Sequence, residues 1–185
     1  MSAKLEKIKE KIAKLEAERD REAENYTKKQ FKKLFKDHKD LESFSWTQYT
    51  PYWNDGDTCE FGVYNEEIEV NGEDCVSVYS VGSILDKVKD KRSFDKAIKD
   101  IDSSIANYQK NKWDCNHLKE DKDNLINVFE CEDVRSKLVD KFAMVRDILS
   151  VLDNIPRESY LSLFGDHAKV VVTSDGIEVE SYSHD

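Results

Sequence analysis

Residues 3–38 contain neither Gly nor Pro and are dominated by Lys, Glu and Ala, residues that lose little on entering a helix. One long helix is predicted there, and the rest of the chain has to fold around it. Leu5, Ile8, Ile12 and Leu15 recur at alternating three- and four-residue steps, the narrow apolar seam that coiled-coil pairing needs. The following seam positions are Arg19 and Glu22, so the seam spans only about two heptads. It is expected to pair with a second copy as a homo-oligomer contact, or to pack on another helix of the same chain. From Tyr26 through Phe31, Leu34 and Phe35 the apolar face returns with larger side chains, and there the helix is expected to dock on a sheet. Lys28, Lys29, Lys32, Lys33 and Lys36 have acidic neighbours on both sides and read as a solvated helix face.

After Asp40 the period changes from helical to two. Phe44, Trp46 and Gln48 fall on one face of a predicted strand at 43–50, with Ser45, Thr47 and Tyr49 on the other. Pro51 limits further pairing and Asn54-Asp55-Gly56-Asp57 turns the chain. Cys59, Phe61 and Val63 alternate with Glu60, Gly62 and Tyr64, which predicts a returning strand at 58–64. A second hairpin is expected from Ile68-Glu69-Val70, the turn Asn71-Gly72, and a strand from Cys75 to Tyr79. Residues 83–111 are helical by period, with Phe94, Ile98, Ile101, Ile105 and Tyr108 forming a second seam that could take the first. Residues 133–153 carry a broad apolar stripe, Val134, Leu138, Phe142, Val145, Leu149 and Leu152, and read as the most buried helix. Pro156 opens a short helix over 157–164 that Gly165 stops, and 169–173 and 177–181 flank Ser174-Asp175-Gly176 as a closing hairpin. The pattern is α+β: an antiparallel sheet of about four to six strands with helices packed on it, plus the long N-terminal helix with its coiled-coil-like seam. The division expected is a helical arm at 1–40 and an α+β domain at 41–185 with a helical elaboration at about 83–112.

The formal net charge of −10 opposes non-specific binding to nucleic acid or to an anionic membrane. No apolar run approaches the ~20 residues of a membrane span, and Met1-Ser2-Ala3-Lys4 opens a charged helix with no signal-peptide core. Cytoplasmic residence and reduced thiols at Cys59, Cys75, Cys115 and Cys131 are expected.

Residues 46–61 stand apart in composition, crowding rings and uncharged polar groups into one run. Trp46-Thr47-Gln48-Tyr49-Thr50-Pro51-Tyr52-Trp53-Asn54-Asp55-Gly56-Asp57-Thr58-Cys59-Glu60-Phe61 resembles a motif of a family of small proteins from tailed phages and some bacteria. That motif reads Trp-Thr-Gln-Tyr-Thr-Pro-Tyr-Phe-Asn-Asp-Gly-Asp/Glu-Pro-Cys-x-Phe; Trp53 stands in place of its Phe and Thr58 in place of its second Pro. Phe164-Gly165-Asp166-His167, Asp175-Gly176-Ile177-Glu178-Val179-Glu180 and Ser183-His184-Asp185 also look like that family's closing segment. The resemblance implies kinship and a phage-type origin, with the host cytoplasm as the site of action. It carries over no catalytic residue.

Tyr49, Tyr52, Trp53, Asn54, Asp55 and Asp57 present rings, an amide and carboxylates, groups that make a binding surface at small entropic cost. A buried Trp46 with exposed Tyr49, Tyr52 and Trp53 is the preferred split, and packing of all the rings against the helices at 26–35 and 133–152 is the alternative. The leading expectation is therefore a non-enzymatic accessory protein that binds a macromolecular partner, a host protein, and needs no cofactor. Two alternatives stay open. Asp55, Asp57, Asp166, His167 and His184 would make an oxygen-rich site for a hard cation in a small metal-dependent hydrolase if the terminal hairpin lies beside the first one. The acidic charge would also suit a mimic of nucleic acid, although 29 Lys and Arg dilute it. Cys115, His117 and Cys131 lack a fourth ligand and fit no standard zinc spacing.

Overall fold

The fold is described from a computed structural model, which places residues 3–53, 55–72 and 78–183, the side chains of 65–67 and 78–80 excepted. The chain divides into two compact units, residues 1–75 with 146–185, and residues 76–145. The first contains α1 (Ala3–Asp37), β1 (Ser43–Tyr49) and β2 (Gly62–Val70). After the helical second unit it is completed by α6 (Arg157–Phe164), β3 (Ala168–Thr173) and β4 (Ile177–Ser181). The second unit holds α2 (Val78–Val88), α3 (Lys91–Lys110), α4 (Asn116–Glu130) and the first part of α5 (Glu132–Asp153). The protein is α+β, and no helix among the described residues is long and apolar enough to cross a membrane.

Helix α1 changes character at Arg19. Every residue from 3 to 18 is exposed, a stretch of about 24 Å at the helical rise. Leu5, Ile8, Ile12 and Leu15 keep 44–56% of their surface in water. Beyond it Ala23, Thr27, Phe31 and Leu34 are buried at helical spacing, and Asp20 accepts a hydrogen bond from Ser159 Oγ of α6 at 3.0 Å.

Among the described residues four antiparallel strands lie in the order β2-β1-β3-β4. Phe44, Trp46 and Gln48 of β1 pair with Val172, Val170 and Ala168 of β3, and all six side chains are buried. Phe31 of α1 and Tyr160 and Phe164 of α6 close over Trp46 with ring centroids 6.2, 6.0 and 5.4 Å away. Such edge-on pairs each add about 0.5–1.5 kcal/mol beyond burial of area. Gln48 is completely buried yet fully occupied. Its Nε2 donates to the carbonyls of Tyr160 (3.2 Å) and Gly165 (2.5 Å), and its Oε1 accepts from Trp46 Nε1 at 3.2 Å. The amide thereby fastens β1 to the C-terminal end of α6, where Gly165 stops the helix at φ +82°. Tyr160 donates its hydroxyl to the Leu152 carbonyl at 2.7 Å, and burial pushes its phenol well above the usual range.

Several expectations need correction. The returning strand starts at Gly62, not 58, and runs on to Val70, absorbing the segment assigned to a second hairpin. Its register against β1 steps between Ser45, opposite Glu69, and Thr47, opposite Tyr64. The Asn71-Gly72 turn is real, with φ of +55° and +73°, but the described end of the return strand expected at 75–79 is helical. Residues 73–77 lie outside the described residues, and Val78 and Tyr79 belong to α2. Val81, Ile84, Leu85 and Val88 explain this: their helical spacing buries Val81 and Val88, and periodicity over a longer run outweighs β-branching. Asn71 instead holds the start of β1, its Oδ1 accepting from the Glu42 and Ser43 amides and its Nδ2 donating to the Asp40 carbonyl.

The helical segment is also longer than 83–112. It breaks at Asp90, whose carboxylate caps α3 by accepting from the Ser93 amide at 2.7 Å, and α4 follows. Leu118, Leu125 and Phe129 are the signal for α4, lying seven and four residues apart. Phe94, Ala97, Val88 and Leu125 form this unit's core, with Ile98, Ile101 and Phe129 against it. Helix α5 is less buried than its stripe suggests. Met144, Val145, Ile148, Val151 and Leu152 are buried, whereas Val139 is 46% exposed.

Candidate binding surface

Strand alternation sends Tyr49 to the sheet face opposite Trp46. There it stacks on Tyr64 (4.1 Å, 13° between planes), approaches Tyr182 at 5.5 Å and faces the His167 ring at 6.4 Å. Tyr52 stacks on the other side of the cluster, 4.8 Å from His167 and 15° from parallel. Tyr49 is therefore half-buried among rings, contrary to the expected exposure, because β2 and the residues around β3 and β4 bring aromatic neighbours to that end of the sheet. Tyr52 and Trp53 do stand in water, 67% and 76% exposed.

The loop that carries them is anchored at its start. Asp166 accepts from the Thr50 amide through Oδ1 and from the Thr50 hydroxyl through Oδ2, both at 2.8 Å, and from the His167 amide at 2.8 Å. Desolvation pulls the Asp166 carboxyl upward, but the Thr50 and His167 hydrogen bonds outweigh it and leave the group below the usual carboxylate range. His167 supports this geometry from a left-handed backbone, φ +51°. Farther along, Trp53 Nε1 donates to Asp55 Oδ1 at 3.1 Å, and Asp55 and Gly56 take φ of +43° and +94° in succession, as tight turns with two left-handed residues require. Asp55, Asp57 and Glu60 are exposed. On the open sheet face beyond the rings, Glu69 accepts from Lys169 Nζ (2.6 Å) and Ser45 Oγ (3.0 Å), and the Lys169 bond above all holds its carboxyl low.

The described residues of the hydrolase set, Asp55, Asp57, Asp166 and His167, are not assembled as a metal centre. Asp166 spends both oxygens on protein donors, Asp55 is bonded to an indole, and among the described residues no group of three His, Cys, Asp or Glu could hold an ion. Asn54 and His184 lie outside the described residues. Cys115 and Cys131 cap opposite ends of α4, about 24 Å apart at the helical rise, and His117 lies edge-on to Tyr108 at 5.6 Å. The lysines of 28–36 include a Lys28–Glu24 pair at 2.5 Å and a Lys33–Asp37 pair, as a solvated face would. A groove of about 830 Å³ in the helical unit is floored by Ala97, Ile101, Leu118 and Phe142 and contains none of the predicted site residues.

The sequence also carries a charge asymmetry that marks this region. Residues 40–86 contain 11 Asp and Glu and no Lys or Arg, so the remaining 28 acidic and 29 basic residues nearly cancel. The net charge of the chain resides in the segment that bears the rings. Comparison with protein-family models, with curated proteins and with solved structures finds no match to this chain.

Proposed function

We propose that this chain is a non-enzymatic accessory protein of phage type that acts by binding a host protein through the surface built from Tyr49, Tyr52, Trp53, Asp55 and Asp57. The observation that carries this reading is the exposure of Tyr52 and Trp53, 67% and 76%, on a loop pinned to the sheet by Asp166. Exposed neighbouring rings on a rigid base are costly to leave in water and are the groups that dominate interface energetics. The likeness of Trp46–Phe61 and of the closing segment to small phage proteins supports the phage-type origin. The four seam residues of α1 fit a second copy of the chain. Their flanks carry both signs, Lys4, Lys9, Lys11, Glu16 and Glu18, which a like helix can pair.

The test is capture from bacterial lysate by the immobilised chain and by the double variant Tyr52→Ala/Trp53→Ala. The reading requires a protein retained by the first and lost by the second while the melting temperature stays within a few degrees. Equal retention by both would remove the loop from the interface.

A further inference from the structure

The chemistry of the loop specifies its partner further than exposure alone. We infer that Trp53, with Asp55, Asp57 and Glu60, takes an arginine-bearing, cationic stretch of the partner protein, with a guanidinium over the face of Trp53 and its N–H groups on the carboxylates. This rests on the reading that the loop is a binding surface. Trp53 is 76% exposed, whereas Tyr52 already stacks on His167; the quadrupole of the indole attracts a planar cation, and arginine, weakly hydrated and flat, stacks on such a ring more readily than lysine. The Trp53 indole N–H holds Asp55 through one oxygen, so ring and carboxylate are presented side by side without further ordering, and a fork of donors can meet the carboxylate while its plane covers the ring.

Charge selects the same occupant. Asp55, Asp57 and Glu60 are exposed, and Glu60 has Arg157 at 3.8 Å. No Lys or Arg of 40–86 competes for these carboxylates. On the open sheet face of the same unit the exposed Glu178 and Glu180 extend the negative field, with Lys169 committed to Glu69. A phosphate backbone would be repelled from such a surface, whereas a basic segment would be steered to it.

The experiment uses the full chain and the capped peptide Gly-Arg-Gly-Arg-Gly, with Lys and Glu versions as comparators, and follows the Trp53 indole N–H resonance, assigned by its loss in Trp53→Phe. Saturable shifts with the arginine peptide, weaker ones with lysine and none with glutamate are expected. Asp55→Asn/Asp57→Asn should weaken binding about tenfold or more, while Glu178→Gln/Glu180→Gln, which removes as much charge from β4, should change it less than about twofold. Equal weakening by the two double variants would reduce the effect to diffuse charge and overturn the inference, as would absence of a saturable shift at millimolar arginine peptide. If the lysate partner is lost on Tyr52→Ala/Trp53→Ala but is held by Asp55→Asn/Asp57→Asn and not displaced by the arginine peptide, the binding surface stands and the cationic partner falls.

Discussion

Replacing Gln48 by Leu keeps nearly the same volume at the centre of β1 and removes only hydrogen bonding, which makes it a clean probe of what fixes the sheet to α6. The wild-type amide is 0% exposed and makes three bonds, two donated to the Tyr160 and Gly165 carbonyls and one accepted from Trp46. At about 1 kcal/mol net per bond the loss is about 3 kcal/mol. The Trp46 indole N–H, itself buried, is then stranded, adding about 1–3 kcal/mol. A total of about 4–6 kcal/mol corresponds to a fall in Tm of about 8–24 °C for a chain of this size. Urea melts followed by the fluorescence of Trp46, with Trp53→Phe/Trp113→Phe as background, would measure it. A midpoint shift worth less than about 1 kcal/mol at unchanged slope would mean that the three bonds do not hold the core, and the account of this sheet would be wrong.

Deleting residues 168–185 removes β3 and β4 and strips β1 of one of its two partners, so cooperative unfolding of the sheet unit should vanish in calorimetry; one transition at nearly the original temperature would make the hairpin peripheral. Ile8→Glu/Ile12→Glu places charge in the exposed seam of α1 and should move the sedimentation mass toward monomer, while an unchanged mass in both forms would leave the seam idle. Asp166 has its folded pKa below the unfolded value of about 3.9, so its stabilisation is present above about pH 4 and is lost as pH falls through the folded value. The gap in Tm between the native chain and Asp166→Asn should therefore be constant from pH 5 to 7 and close below pH 4; a gap that persists at pH 2 would refute the Thr50 clasp as its source.

What could be read from the sequence was set by local chemistry. The alternation of Phe44, Trp46 and Gln48 gives the buried face of β1, Pro156 and Gly165 bracket α6, and Ser174-Asp175-Gly176 bends the last hairpin, because each depends on its neighbours in the chain. Asn71-Gly72 shows the limit of such signals. The turn forms, but the Asn71 side chain binds Asp40, Glu42 and Ser43 and the next described element is a helix. Within the candidate surface, the exposure of Tyr52 and Trp53 followed from Pro51 leaving the sheet. The stacking of Tyr49 on Tyr64 and the bond between Asp166 and Thr50, 116 residues apart, depend on strand order and register, which a single sequence does not encode locally.

That long-range clasp has a consequence for how such a chain can change over generations. Thr50 and Asp166 are tied in one direction above all: replacing Asp166 leaves the Thr50 amide and hydroxyl without their acceptor and loosens the loop, so position 166 cannot drift without regard to position 50. The residues from 76 to 145 form their own compact unit and take no part in the clasp. Descendants could exchange that middle almost wholesale and still present the same rings, and their kinship would then be visible only at the two ends.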